Sequence, residues 1–355
     1  MDYIEIKGYK SIKEARVTFK PINILIGANG SGKSNFISFF VFLSRLYNQN
    51  LKEYIALSGG EDKLLHKGQK NTDQISFKME FSQGRNGYSA IMKLGESGFV
   101  FTEENLIYQR DAQDIANYGS EANIKISSLD RANNIRKHLS GLRRYHFHDT
   151  SINSPFTQLS SLENDIYYLY GNGMNIPSFL YQIQQQDKIV YNRIVKNIQT
   201  IAPYFSDFYF SPDKNNQLRL LWKDKYSDIV FGPNDLSDGT LRFIALTVLF
   251  LQPNLPSTIL IDEPELGLHP SAISKLAAMI KSAADKGSQI VLATQSTDLI
   301  SYFSPEDIIT VDQINGETRF NRLKTEELQV WIEDYTIDEL WKRNIIPTGQ
   351  TNLGL

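Results

Sequence analysis

"INILIGANGSGKSNFISFF", Ile22 to Phe40, decides the fold. The first residues, "INILIG", read as a buried strand that ends in glycine, and the residues after Ser34 carry helical apolar spacing. Between them, Gly27–Ser34 fits G-x-x-x-x-G-K-[ST], in the strand-to-helix context where that motif binds phosphate. Glycines let backbone N–H groups wrap an anion without Cβ clashes. Lys33 offers charge to the β- and γ-phosphates, Ser34 a hydroxyl to Mg²⁺, and the helix N-terminus its dipole. The expected ligands are therefore ATP and Mg²⁺. The candidate contacts are Asn29, Gly30, Ser31, Gly32, Lys33, Ser34 and Asn35.

A second stretch, "TILIDEPELGLHP" (Thr258–Pro270), places two carboxylates at the end of an apolar run. Asp262 is expected to hold magnesium through its water shell, and Glu263 to orient and deprotonate the attacking water. A third, "SQIVLATQSTDLI" (Ser288–Ile300), begins as a buried strand and ends on Thr294, Gln295, Ser296, Thr297 and Asp298. Ligands of open α/β sheets bind beyond the carboxyl ends of strands, so this polar end is expected to face the γ-phosphate.

Bulk properties set limits. A chain of 355 residues can bury a large core, and 41% hydrophobic with 22% charged residues is ordinary for a globular protein. A net charge of −3 argues against wholesale attraction to nucleic acid or anionic lipid. The absence of cysteine excludes disulfides, cysteine-ligated metal sites and thiol nucleophiles. The start, "MDYIEIKGYKSIKE", does not read as a signal peptide, and the longest apolar run, Phe243–Leu251, is too short to span a bilayer. The expectation is a cytoplasmic protein without membrane contact.

"NDLSDGTLRFIAL" (Asn234–Leu246) resembles the ABC signature, with Leu236, Ser237, Gly239 and Thr240 on its pattern. "IDEPELGLHP" looks like the Walker B and D-loop of RecF/SMC-like ATPases, especially the OLD-type and defence-associated "AAA family" proteins of prokaryotes. "IKGYKSIKEARVTFKPINILIGANGSGKSN", "YHFHDTS", "GMNIPSFL" and "DELWKRNIIPTG" are similar to the same group. ABC transporter domains have a shorter segment between the motifs, and SMC proteins fill it with coiled coils that no heptads announce here.

The resemblance implies an α/β, ABC-type P-loop ATPase head: a mixed or parallel sheet core with an antiparallel β-subdomain and no coiled coil. It implies that Ser237 and Gly239 meet the γ-phosphate held by the P-loop of a second copy, giving an ATP-bridged homodimer with a composite site. Lys10 and Ser11 fall at the nucleotide's edge, and Gln69 or Gln83 serves as the Q-loop residue that senses Mg²⁺. His269 lies on the D-loop, facing the partner copy. Related ATPases carry a histidine where Gln295 stands. Gln295 can donate and accept hydrogen bonds but cannot titrate near pH 7, so slow hydrolysis is expected.

The organisation expected is the first part of the core at 1–102, an inserted and mainly helical lobe at 103–217, the second part of the core at 218–323, and a tail at 324–355. The sequence after Ile300 shows no second cluster of acidic strand ends, so a nuclease or toxin effector of bacterial antiviral defence is expected on a separate polypeptide. Two other readings stay open: a DNA-repair or recombination ATPase using Arg131, Arg136, Lys137, Arg143 and Arg144, and a scaffold that holds ATP with little turnover. The basic run is weighed against a solvated helix face, and the His146–His148 pair against a metal site, with structural roles favoured for both.

Overall fold

The structure is a computed structural model that describes residues 1–332, 334–343 and 345–346, so the end of the expected tail lies outside the described residues. The chain forms two compact units. One comprises residues 1–143 and the described residues from 291 onward; the other comprises 144–290.

The first unit holds a six-stranded antiparallel sheet in the order Ile12–Thr18, Tyr3–Tyr9, Gln74–Phe81, Asn86–Gly95, Gly98–Tyr108 and Asp111–Asp114. Gln74–Phe81 shows why: Ile75, Phe77, Met79 and Phe81 alternate inward while the polar residues between them are less covered. Strand structure continues to Asp114, and the helix Asp130–Ser140 follows it.

A buried carboxylate fastens the segment after this sheet. Glu104 is fully buried; it accepts from Tyr88 Oη at 2.8 Å, Asn123 N at 2.7 Å and Ile124 N at 2.9 Å. Burial raises its pKa above the ordinary 4.5, and the donors only partly offset this. The carboxyl's contribution to stability is therefore greatest in acid and falls as the pH rises through its raised pKa. Glu104→Ala should cost about 3 kcal/mol or more in urea titrations, because three buried donors lose their acceptor. Glu104→Gln should flatten the dependence of the urea midpoint on pH above 4.5.

The strand Ile22–Ile26 is buried at every residue. It pairs in parallel with Ile308–Ile314, which turns back through Glu317–Arg322, and Gln289–Thr294 lies on its other side. The helix that follows, Lys33–Asn48, buries Phe36, Phe39, Phe40 and Phe42. Tyr9 meets Phe39 edge-on at 5.0 Å between ring centres. Each such ring contributes roughly 1.5–3 kcal/mol by leaving water. This packing fixes the start of the helix, and so the loop before it.

In the second unit, the helix Asp238–Leu251 is buried along nearly its whole length, which accounts for its continuous apolar run. The strand Thr258–Asp262 leads to the helix Pro270–Asp285, whose first residue is proline, preset for that position. "SFLYQIQQQDKIVYNRIVKNIQTIAPYF" is two helices, Ile176–Gln186 and Lys188–Ile201. Asp187 divides them, its carboxylate accepting from Val190 N at 3.0 Å as the cap of the second. Trp222 stacks on Phe205 and Phe231 across a small three-stranded sheet. Among the described residues no helix is long and apolar enough to cross a membrane.

Candidate active site

The loop Gly27–Ser34 leaves the buried strand with Ala28, Asn29 and Gly30 exposed and Ser31, Gly32 and Lys33 buried. Lys33 Nζ donates to the carbonyls of Gly27 at 2.6 Å and Ala28 at 3.0 Å, folding the ammonium over the loop that a phosphate would enter. Ser34 is exposed at the first turn of the helix. Ser31 Oγ is buried and has no hydrogen-bond partner, so it can accept a new one without breaking an old one.

Thr318 holds this loop from behind. Its Oγ1 donates to Ser31 O at 3.0 Å and lies 2.7 Å from Ser11 Oγ, which in turn accepts from Asn35 Nδ2 at 2.7 Å. Gly32 has φ +112, and a Cβ there would lie 2.1 Å from Thr318 Oγ1. Lys10, also in the left-handed region at φ 48, donates to Ser38 Oγ on the P-loop helix at 3.0 Å. Lys10, Ser11 and Asn35 are thus brought together beside the loop, with Ser11 and Asn35 bonded to each other. Gln69 is exposed, in a segment anchored by His66 Nδ1 to Lys10 O at 2.7 Å. Gln83 sits on a hairpin turn where Gly84 N–H bonds Asp2. Of the two, Gln69 is on the segment that reaches the Lys10 element.

The polar end of Gln289–Thr294 divides into two roles. Thr294 Oγ1 accepts from Ser296 N at 2.9 Å, and Ser296 Oγ caps the short helix Thr297–Ile300 through Leu299 N at 3.2 Å. Gln295 alone between them is exposed. Most of the cluster expected to face a ligand therefore ends a strand and starts a helix.

In the second unit, Asp262 and Glu263 end their strand half-buried. Glu263 has φ 44, a left-handed backbone uncommon for a residue with a side chain, and it precedes proline. Such conformations cost on the order of 1–3 kcal/mol and persist where the surroundings hold them. Ser237 caps the helix Asp238–Leu251, accepting from Thr240 N at 3.2 Å, and is exposed. Gly239 packs against the D-loop: a Cβ there would lie 2.4 Å from Gly267 O. His269 is exposed and caps the next helix, its Nδ1 accepting from Ser271 N at 3.3 Å.

His146 and His148 stand 4.1 Å apart between ring centres. His148 Nε2 donates to Asp262 O at 2.9 Å, which makes it a brace of the Walker B strand end. Burial, then the nearby His148 and Arg144 charges, push the His146 pKa below its ordinary value, against a smaller opposing pull from Asp262. Among the described residues no group of three or more His, Asp or Glu is arranged to hold a metal. The basic run is partly spent on structure: Arg131 pairs with Asp111 at 2.7 Å, and Arg136 donates to the carbonyls of Ile124 and Ser127.

Sequence reasoning missed Thr318, far along the chain from the loop it supports, and Arg242, which reaches the carbonyls of Leu266 and His148. Thr318 carries no local signal. Arg242 lies inside the quoted signature stretch, where its spacing from Ser237 was available and its targets were not.

These motifs on this fold define an ABC-type ATPase of the RecF/SMC class. The chain belongs to the family described as "AAA domain, putative AbiEii toxin, Type IV TA system", which matches residues 22–301. It is similar to an ATP/GTP phosphatase of Helicobacter pylori, 22% identical over 363 residues that cover 92% of this chain and 93% of that one. A shorter region is similar to the energy-coupling factor transporter ATP-binding protein EcfA of Methanocaldococcus jannaschii, at 30% over 81 residues, 22% of this chain and 28% of that one. Two solved structures share the fold. An SMC head bound to the C-winged helix domain of ScpA has a TM-score of 0.60 at 18% identity, covering 93% of this chain and 99% of that one. An SMC head with an extended coiled coil, bound to the C-terminal domain of ScpA derived from Pyrococcus furiosus, has a TM-score of 0.53 at 16%, covering 94% and 98%.

Proposed function

We propose that the protein is a slow ATPase whose hydrolytic site is completed by a second copy, and that its nucleotide cycle controls a separate effector protein in bacterial antiviral defence. The observation that carries the composite site is Ser237. It caps a long helix, its Oγ bonded to Thr240, and the residue is exposed at the helix N-terminus, where it can supply donors to a phosphate bound elsewhere. The toxin–antitoxin description of the family supports the defence reading. The solved SMC heads, each bound to a domain of another protein, support control of a separate partner.

Each residue has a defined task in this reading. Lys33 exchanges its two carbonyl acceptors for phosphate oxygens, and backbone N–H groups of Asn29–Ser34 wrap the β-phosphate. The exposed Ser34 hydroxyl and the Asp262 carboxylate are hard oxygen donors of the kind Mg²⁺ takes, a few from protein and the rest from water and phosphate. Mg²⁺ held by such donors would supply charge neutralisation for the leaving phosphate. Glu263 takes the proton of the attacking water, and Gln295 holds that water or the γ-phosphate by hydrogen bonds.

The test is the mass of the protein in solution with and without ATP–Mg²⁺, together with phosphate release. Doubling of the mass with ATP supports the composite site; an unchanged monomer overturns it. Gln295→His should raise turnover on the order of tenfold, since a titratable group would stand beside the water. Unchanged phosphate release would remove Gln295 from the mechanism.

A further inference from the structure

One side chain ties the signature helix to the turn that carries Glu263. Arg242, in the second turn of the helix Asp238–Leu251, donates Nη1 to Leu266 O at 3.0 Å and Nη2 to His148 O at 2.9 Å. Among the described residues no carboxylate pairs with it. Its charge is met by backbone carbonyls, and its Nε is buried without a hydrogen bond.

The second link closes a circuit, because His148 donates from Nε2 to Asp262 O at 2.9 Å. Asp262 is held by His148, Leu266 is held by Arg242, and Arg242 also holds the carbonyl of His148. The peptide between those anchors contains Glu263 in its left-handed conformation. Gly267 provides the clearance: it has φ +73, and a Cβ there would lie 2.5 Å from Arg242 Nη1. Phe147, His148, Arg242, Asp262, Glu263 and Pro264 line one small cavity at this junction.

We infer that Arg242 is a positioning residue that aligns Glu263 with the signature helix, so that a phosphate captured at Ser237 is reported to the carboxylate. This rests on the composite-site reading. The guanidinium suits the task because its planar fork serves two carbonyls at fixed angles, where an ammonium is a single point charge. A brace made only for stability would not need to span the two ends of the catalytic turn.

The experiment uses the full chain and compares wild type, Arg242→Lys, Arg242→Ala and Glu263→Gln. The readouts are single-turnover phosphate release, affinity for a fluorescent ATP analogue, and melting temperature. Arg242→Lys should lower the hydrolytic rate about 10- to 100-fold, as misplacement of a catalytic group does. Nucleotide affinity should change by less than about threefold, the split that separates positioning from binding. Free guanidinium at millimolar concentration should restore part of the rate to Arg242→Ala.

If Arg242→Ala fails to fold, the Arg242→Lys split decides. Hydrolysis within about twofold of wild type in Arg242→Lys would overturn the inference. So would parallel losses of rate, affinity and melting temperature. The underlying reading fails separately, if Glu263→Gln turns over like wild type. If Glu263→Gln is inactive and Arg242→Lys is not, only the role of Arg242 falls.

Discussion

Glu263→Gln should stop phosphate release while ATP still binds, and with ATP–Mg²⁺ the protein should accumulate at twice its monomer mass. Loss of a general base typically costs 10²–10⁴-fold, so turnover should fall by roughly 100-fold or more. Glutamine matches the shape of glutamate and can occupy the same left-handed backbone at φ 44. Folding and nucleotide binding should therefore survive, and the bridging contacts at Ser237 should persist because the γ-phosphate is never removed. Glu263→Gly separates strain from chemistry. It should be just as inactive, yet gain about 1 kcal/mol of stability, because glycine adopts the left-handed region without penalty. Turnover of Glu263→Gln at the wild-type rate would remove Glu263 from the mechanism, whatever the mass measurement shows.

Gly32→Ala should abolish nucleotide binding and weaken the first unit. Two costs add at this position. The backbone sits at φ +112, and the new Cβ would lie 2.1 Å from Thr318 Oγ1, 2.7 Å from its Cγ2 and 3.0 Å from its Cβ. Thr318 cannot swing aside freely, because its hydroxyl serves Ser31 O and lies against Ser11 Oγ. Strain of 1–3 kcal/mol and overpacking of 1–3 kcal/mol suggest a loss of about 2–6 kcal/mol by urea denaturation. The two positions should be coupled, so adding Thr318→Ala should recover part of the stability but little of the binding. Wild-type affinity for ATP in Gly32→Ala would show that the loop does not cradle phosphate.

The parts legible in the sequence were those written contiguously. The buried strand, the glycine-rich loop and the helix after it stand side by side in the chain, as do the apolar run and Asp262–Glu263. The signature helix announced itself through the pattern of Leu236, Ser237, Gly239 and Thr240 and the unbroken apolar residues beyond it. Thr318 and His148 were not legible as supports, because each acts on a backbone carbonyl more than a hundred residues away and no side-chain pattern encodes that target. The polar residues after Ile290 carry local backbone contacts that the sequence did not announce. A hydroxyl that caps a helix and one that meets a ligand look alike in one dimension; here Ser296 caps the helix Thr297–Ile300, and Thr294 at the strand end accepts from Ser296 N. The break at Asp187 was hidden in the same way, since an aspartate within an amphipathic run reads as a solvated face until it is seen to cap.

The placement of Thr318 behind the P-loop sets an order of events during synthesis. Residues 27–34 leave the ribosome well before the strand pair Ile308–Ile314 and Glu317–Arg322 that backs them. At roughly 5–20 residues per second, a nascent chain spends many seconds with its phosphate loop unsupported. The loop gains its support only once residue 318 has been made, so chains truncated before that residue should bind ATP poorly rather than be half-active.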